Sequence, residues 1–131
     1  VEIRHYTPDD DKAVTEILRE SKLPDDLMKH REFESFVIDD GEVIGIMTMT
    51  EQHGLPVFHH GCIKKNRRSF KMARMLANFF KYYSLTRGFS RGIINARTDD
   101  GGRLKKITER LFKCKNPYAR TKYSDWYLVS F

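Results

Sequence analysis

Six cations and no acid fall within the eleven residues from Lys64 to Arg74: Lys64, Lys65, Arg67, Arg68, Lys71 and Arg74. A positive run of that density favours an anionic ligand, whether a nucleotide-bearing cofactor, a nucleic acid or an acidic protein face. Just ahead of it stand His59 and His60, whose imidazoles titrate near neutral pH and suit acid–base work without a large shift. Glu51 is the nearest carboxylate candidate. On a regular strand His59 and His60 point to opposite faces, while His60 and Cys62 share one. That shared face, with His53 nearby, raises a thiol–imidazole or metal reading. The spacing fits no zinc pattern, and a two-residue step along a strand aligns a nucleophile poorly with its base. Cys62 is therefore read as a small buried hydrophobe, and no metal is expected.

These groups need elements to position them. Glu2 to Tyr6 reads as a first strand, and Thr7-Pro8 as an N-cap with proline at the first helical position. Ala13, Val14, Ile17 and Leu18 carry that helix to about Ser21, and Pro24-Asp25-Asp26 opens a second, short helix toward His30. Residues 35–38 and 43–49 read as two strands joined by a hairpin turn at 39–42, followed by a strand over 57–63. A long helix then runs from the basic segment to Gly88. Phe70, Ala73, Ala77 and Phe80 share its apolar face with Met72, Leu76, Phe79 and Tyr83. Ile93-Ile94-Asn95-Ala96 is a buried strand. Gly101-Gly102 opens a last helix with Leu104, Ile107 and Leu111 inward and Arg103, Lys106, Arg110 and Lys113 outward. Strands over 118–123 and 126–131 close the chain. This order predicts an α/β (α+β) fold: a mixed sheet with helices on both faces, in which a right-handed crossover leaves strands 57–63 and 90–97 parallel.

The bounds set by composition agree. A chain of 131 residues with 40% apolar and 32% charged residues is expected to form one domain, 1–131, and not a disordered or fibrous chain. No stretch approaches the roughly 20 apolar residues of a membrane helix. The opening Val1-Glu2-Ile3-Arg4 lacks signal-peptide features, and two distant cysteines, Cys62 and Cys114, give no disulfide framework. A cytoplasmic location is expected. The net charge of +6 agrees with an anionic partner.

The order of elements resembles that of the GNAT acyl-CoA N-acyltransferase superfamily over essentially the whole chain. In that family the fourth strand leads into a loop of pattern Gln/Arg-x-x-Gly-x-Gly/Ala, which opens the long helix and holds the coenzyme A pyrophosphate. Arg68-Ser69-Phe70-Lys71-Met72-Ala73 stands at this place: Arg68 and Ala73 match, and Lys71 replaces the central glycine. The resemblance implies that the strands flanking the long helix splay apart at one end. It also implies a thioester along the backbone of Cys62 and Ile63, a pyrophosphate on residues 68 to 73, and Lys64, Lys65 and Arg74 near the adenosine phosphates. Near the last helix, Thr108 stands where many members carry the tyrosine that reprotonates the leaving thiolate, and Gly101 where they carry an asparagine. A threonine hydroxyl is a far weaker acid than a phenol. Tyr118 and Tyr123, just beyond, are then the candidate acids, and His59, His60 and Glu51 the candidate bases.

The function expected from this resemblance is transfer of an acyl group, acetyl above all, from coenzyme A to an amine by direct attack. The rival expectation is a module that kept the fold and lost catalysis, using its basic surface on nucleic acid or a protein. Its contact would be the outward face of the last helix, which lacks the interleaved aromatic residues that single-strand binders use.

Overall fold

A computed structural model describes residues 1–98 and 103–131. Ten main elements follow one another: β1 (Glu2–His5), α1 (Asp11–Glu20), β2 (Glu34–Asp39), β3 (Val43–Gln52), β4 (Leu55–Ile63), α2 (Phe70–Thr86), β5 (Arg91–Arg97), α3 (Arg103–Phe112), β6 (Ala119–Arg120) and β7 (Ser124–Ser130). The strands form one seven-stranded sheet in the order β1-β2-β3-β4-β5-β7-β6. Every neighbouring pair is antiparallel except β4 and β5, which run parallel as expected for strands joined through a crossover helix.

The helices take both faces. Val14, Ile17 and Leu18 of α1 pack on Val37, Ile46 and Cys62. On the opposite face, Leu76 and Phe80 of α2 meet Phe36, Met47, Ile94 and Tyr127, and Leu104 and Phe112 of α3 join the same cluster. Arg4 fixes the β1–α1 connection: its guanidinium grips the buried Asp10 at 2.9 and 3.0 Å and reaches Asp39 at 3.2 Å. That grip holds the Asp10 carboxyl below its usual range.

Three expectations shift. The short helix toward His30 is only a 3-10 turn, Leu27–Lys29, because Leu27 and Met28 are drawn into the core beside α1. The first helix opens as a 3-10 turn, Pro8–Asp10, before α1 begins. At the C-terminal end the turn falls at Thr121, whose amide donates to the Ser124 carbonyl at 2.8 Å, and not at Ser124-Asp125. Thr121's hydroxyl also accepts from the Ser124 amide at 3.2 Å, so local side-chain bonding overrides strand propensity there and β6 shrinks to two residues.

Gly45 sits between Ile38 on β2 and Ile63 on β4, its partners in the ladder. A Cβ at this position would lie 2.5 and 2.8 Å from the two isoleucine Cδ1 atoms and 2.9 Å from the Cys62 carbonyl oxygen. The side-chain tips can move, but the carbonyl belongs to the ladder. Gly45→Ala is expected to destabilise the protein by about 1–3 kcal/mol, read as a lower urea midpoint at unchanged slope. A midpoint equal to that of the parent would show that the β3–β4 spacing is slack.

Candidate functional site: the gap between β4 and β5

The β4–β5 ladder holds only two residue pairs, Val57 with Ile93 and Phe58 with Ile94. The register of β4 against β3 slips at the next residue: Met49 pairs with Phe58 and Thr48 with His60, leaving His59 as the extra residue of a β-bulge. A bulge bends its strand and increases the local twist. Beyond it β4 leaves β5, which stays paired with β7 along seven residues. The opening is a cleft of about 550 Å³ floored by residues 58–63 of β4 and 94–97 of β5, with the start of α2 and the inner side of α3 as walls.

Separation of the strands leaves backbone groups without a ladder partner. The Lys64 amide donates to the Ile44 carbonyl on β3 at 2.8 Å. By strand alternation Cys62 also turns its backbone to β3, while Ile63 and Gly61 turn theirs to the gap. The Ile63 carbonyl there accepts from Arg68 Nε at 2.8 Å, which folds the loop back onto the strand end. Its amide and that of Gly61 face the cleft. At the next element Ser69 is the N-cap of α2, and its hydroxyl accepts from the Met72 amide at 3.2 Å. The amides of Phe70 and Lys71, in the first helical turn, have no carbonyl within the helix to pair with. Backbone donors and the positive end of a 17-residue helix thus converge on one mouth of the cleft.

Of the residues expected to hold a cofactor, Cys62, Ile63, Arg68, Ser69 and Ala73 line the cleft, as does Lys65. Phe70 lies under the Arg110 guanidinium, 4.5 Å from its ring centre, linking α2 to α3. Met72 packs into the core, and Lys71 and Arg74 are exposed on the first turns of α2.

The expected bases separate. Both histidines line the cleft, but on one side of the sheet and not two, because the bulge resets the alternation at His59. Their Nδ1 atoms are 2.8 Å apart, and Thr48 Oγ1 lies 3.2 Å from that of His60. Two protonated rings would set N–H against N–H, so the pair holds at most one extra proton. Burial lowers the His59 pKa, and burial, His59 and Arg97 together lower that of His60 to about 4. Both rings are neutral at pH 7. Phe33 packs on both and Trp126 on His59. Glu51 lies elsewhere, exposed beside a smaller hollow that also contains Glu34 and Arg87.

The expected acids are not in the cleft. Tyr118 and Tyr123 are 57% and 58% exposed on the β6–β7 hairpin and do not line it. Thr108 does line it, but its hydroxyl donates to the Leu104 carbonyl of its own helix at 2.8 Å. Gly101 lies outside the described residues. Cys62 Sγ is 2.6 Å from Ser21 Oγ, and its partners do not include His60, so the thiol–imidazole pairing does not form. Among the described residues no group of three or more His, Cys, Asp or Glu is placed to hold a metal ion, and no helix is long and apolar enough to cross a membrane. Asn95, which lines the cleft, escaped the sequence reading. Its Oδ1 is buried at the cleft and has no hydrogen-bond partner among the described residues. The signal was available: a single amide between Ile94 and Ala96 in an otherwise apolar strand.

The depressed histidine pKa values set a sign for stability. Between about pH 4 and 6.5 the unfolded chain binds protons that the folded one refuses, so stability is full above pH 6.5 and falls as pH drops. A ring held at about 4 would lose roughly 3 kcal/mol if wholly dry. The remaining exposure of His60 reduces the expected loss to about 1–2 kcal/mol. His60→Gln should flatten urea-derived stability across that window relative to the parent. Parallel curves would mean that His60 titrates as if in water.

No family model matches the sequence, and no curated protein matches it. Solved structures do. The chain is similar to the PaiA N-acetyltransferase from Thermoplasma acidophilum in complex with coenzyme A, at TM-score 0.75 and 11% identity over 99% of this chain and 98% of that one. It is also similar to the aminoglycoside 6'-N-acetyltransferase from Enterococcus faecium (TM-score 0.72, 15% identity, 99% and 97% covered). A third match is the ribosomal-protein-S18-alanine N-acetyltransferase from Escherichia coli (0.70, 12%, 99% and 94%). The likeness runs from one end of the chain to the other and establishes that this chain has the GNAT acyltransferase fold.

Proposed function

We propose that the chain is an acyl-CoA-dependent N-acyltransferase that moves an acetyl group from acetyl-CoA to an amine. The observation that carries this reading is the run of ladder-free amides on β4 leading straight into the amino end of α2. The group fits the residues present. Gly61 and Ile63 would hold the amide-bearing arm as a strand neighbour would, and the first turn of α2 would hold the pyrophosphate. Lys65, Lys71 and Arg74 supply positive charge around that turn. Two structural neighbours were solved with coenzyme A, which supports the same assignment. Acetyl-CoA supplies the acyl group activated as a thioester.

The chain's own task is to place the amine and move protons. A nucleophilic amine must be neutral, and it must shed a proton as its C–N bond forms. The His59–His60 pair is neutral at pH 7 and can relay that proton, directly or through water, to solvent; burial makes both rings weak bases that pass the proton on and do not keep it. Asn95 Oδ1, an acceptor without a partner among the described residues, suits the second N–H of the amine and would orient its lone pair. The Thr108 hydroxyl is committed to its own helix, so the departing thiolate takes its proton from water or from the histidine pair. A thiol pKa near 8.5 makes that transfer undemanding.

Calorimetric titration of acetyl-CoA, followed by mass spectrometry of amine mixtures incubated with protein and acetyl-CoA, tests the reading. Binding with acetylated product is expected. Binding without transfer to any amine would mean a fold kept and a chemistry lost, and no binding at millimolar ligand in low salt would contradict the assignment outright. Lys71→Gly removes a charge beside the first turn of α2, and affinity is expected to fall about tenfold. Tighter binding would show instead that the lysine crowds the phosphate. His59→Ala should lower turnover about a hundredfold while leaving acetyl-CoA affinity unchanged.

A further inference from the structure

The segment from Arg103 to Tyr123 contains eight lysines and arginines and one acid, Glu109, a surplus of seven against +6 for the whole chain. Its charge is spread over α3 and the β6–β7 hairpin, and Arg110 reaches the start of α2 over the Phe70 ring. Among the described residues two acids near it are engaged: Glu109 accepts from the Tyr127 hydroxyl at 3.1 Å, and Asp125 holds Lys105 at 3.2 Å. Lys106, Lys113, Lys115, Arg120 and Lys122 are exposed, and among the described residues none of the five is ion-paired. Tyr118 and Tyr123 stand among them, each more than half exposed. Lys122 Nζ lies 5.2 Å from the centre of the Tyr123 ring. Arg120 pairs with Asp125 across the hairpin and so shares the side on which Lys105 of α3 meets it, with Tyr118 and Tyr123 exposed at the two ends of β6. The aromatic residues missing from the outer face of α3 are therefore supplied by the neighbouring hairpin.

From this juxtaposition we infer that α3 and the β6–β7 hairpin form a docking surface for single-stranded RNA. Exposed rings interleaved with unpaired cations are what an unpaired strand requires. Its bases stack on aromatic faces, and its phosphates take the charges. An acidic protein would use the cations but leave both tyrosines without a role, and a duplex keeps its bases out of reach of them. RNA is the nucleic acid that offers unpaired bases without first melting a duplex. The surface lies outside the cleft and does not depend on acyl transfer.

Fluorescence anisotropy with a labelled twelve-nucleotide oligouridylate, without acetyl-CoA, tests the inference. Binding should weaken with salt along a log–log slope between about −2 and −3.5, the range for three to five phosphate contacts to a single strand. Tyr118→Ala and Tyr123→Ala should each cost at least about fivefold in affinity and leave the slope unchanged. Joint replacement of Lys115 and Lys122 by Gln should make the slope shallower by about 1.4. All four positions are exposed, and circular dichroism of each variant confirms that it is folded. Loss of affinity in the tyrosine variants at constant slope establishes stacking. Equal binding by the tyrosine variants and the parent, or equal binding of an RNA duplex or of polyglutamate, would overturn the inference.

Discussion

The cleft exists because the β4–β5 ladder stops after two residue pairs. Had it continued, the amides of Gly61 and Ile63 would be spent on β5, and the space between the strands would be closed by backbone. The cause is one inserted residue. His59 has no partner on β3, so β4 turns at that point while β5 remains tied to β7. The same insertion sets Phe58 and Gly61, three residues apart, on one face. Phe58's ring occupies the space a Cβ on Gly61 would need, 2.6 Å away. Backbone geometry, the packing of Phe58 on Phe80 and the placement of both histidines thus follow from a single register slip.

The slip also accounts for the electrostatics of the site. Two imidazoles brought side by side, under Phe33 and near Arg97, cannot both be charged, and burial keeps both neutral at ordinary pH. Positive charge sits a few residues further on, at the start of α2, where the helix amides point outward. One end of the cleft is therefore organised for negative charge and the other for a neutral proton acceptor beside an unsatisfied amide, Asn95. That division is what transfer between an anionic carrier and an amine requires. Thr108, bonded within α3, adds apolar wall and no acid.

Much of this architecture was legible in the sequence, because α2 and the strands carry strong periodicity: Leu76 and Phe80 face the core as their spacing requires, and the β4–α2–β5 order forces parallel strands. The basic segment and its placement after β4 were legible too. The bulge was not. His59-His60-Gly61-Cys62 reads equally well as a regular strand, and only the pairing with Thr48 and Met49 reveals the extra residue. The acid candidates failed for a different reason. Tyr118 and Tyr123 were chosen by proximity in sequence to α3, and the turn at Thr121 places them on an exposed hairpin that no spacing rule locates. Asn95 was passed over as one polar position within an apolar strand, although that isolation was the clue.

Free backbone on the parted edge of β4, together with the first turn of α2, is the acyl-CoA site we propose. Amide NMR of the isotopically labelled protein during titration with acetyl-CoA measures this residue by residue. The amides of Gly61, Ile63, Phe70 and Lys71 are expected to exchange with solvent in the free protein, then shift and become protected as ligand is added, while the Cys62 amide, bonded to β3, is protected throughout. Gly61 and Ile63 amides already protected in the free protein, or shifts confined to other surfaces, would contradict it.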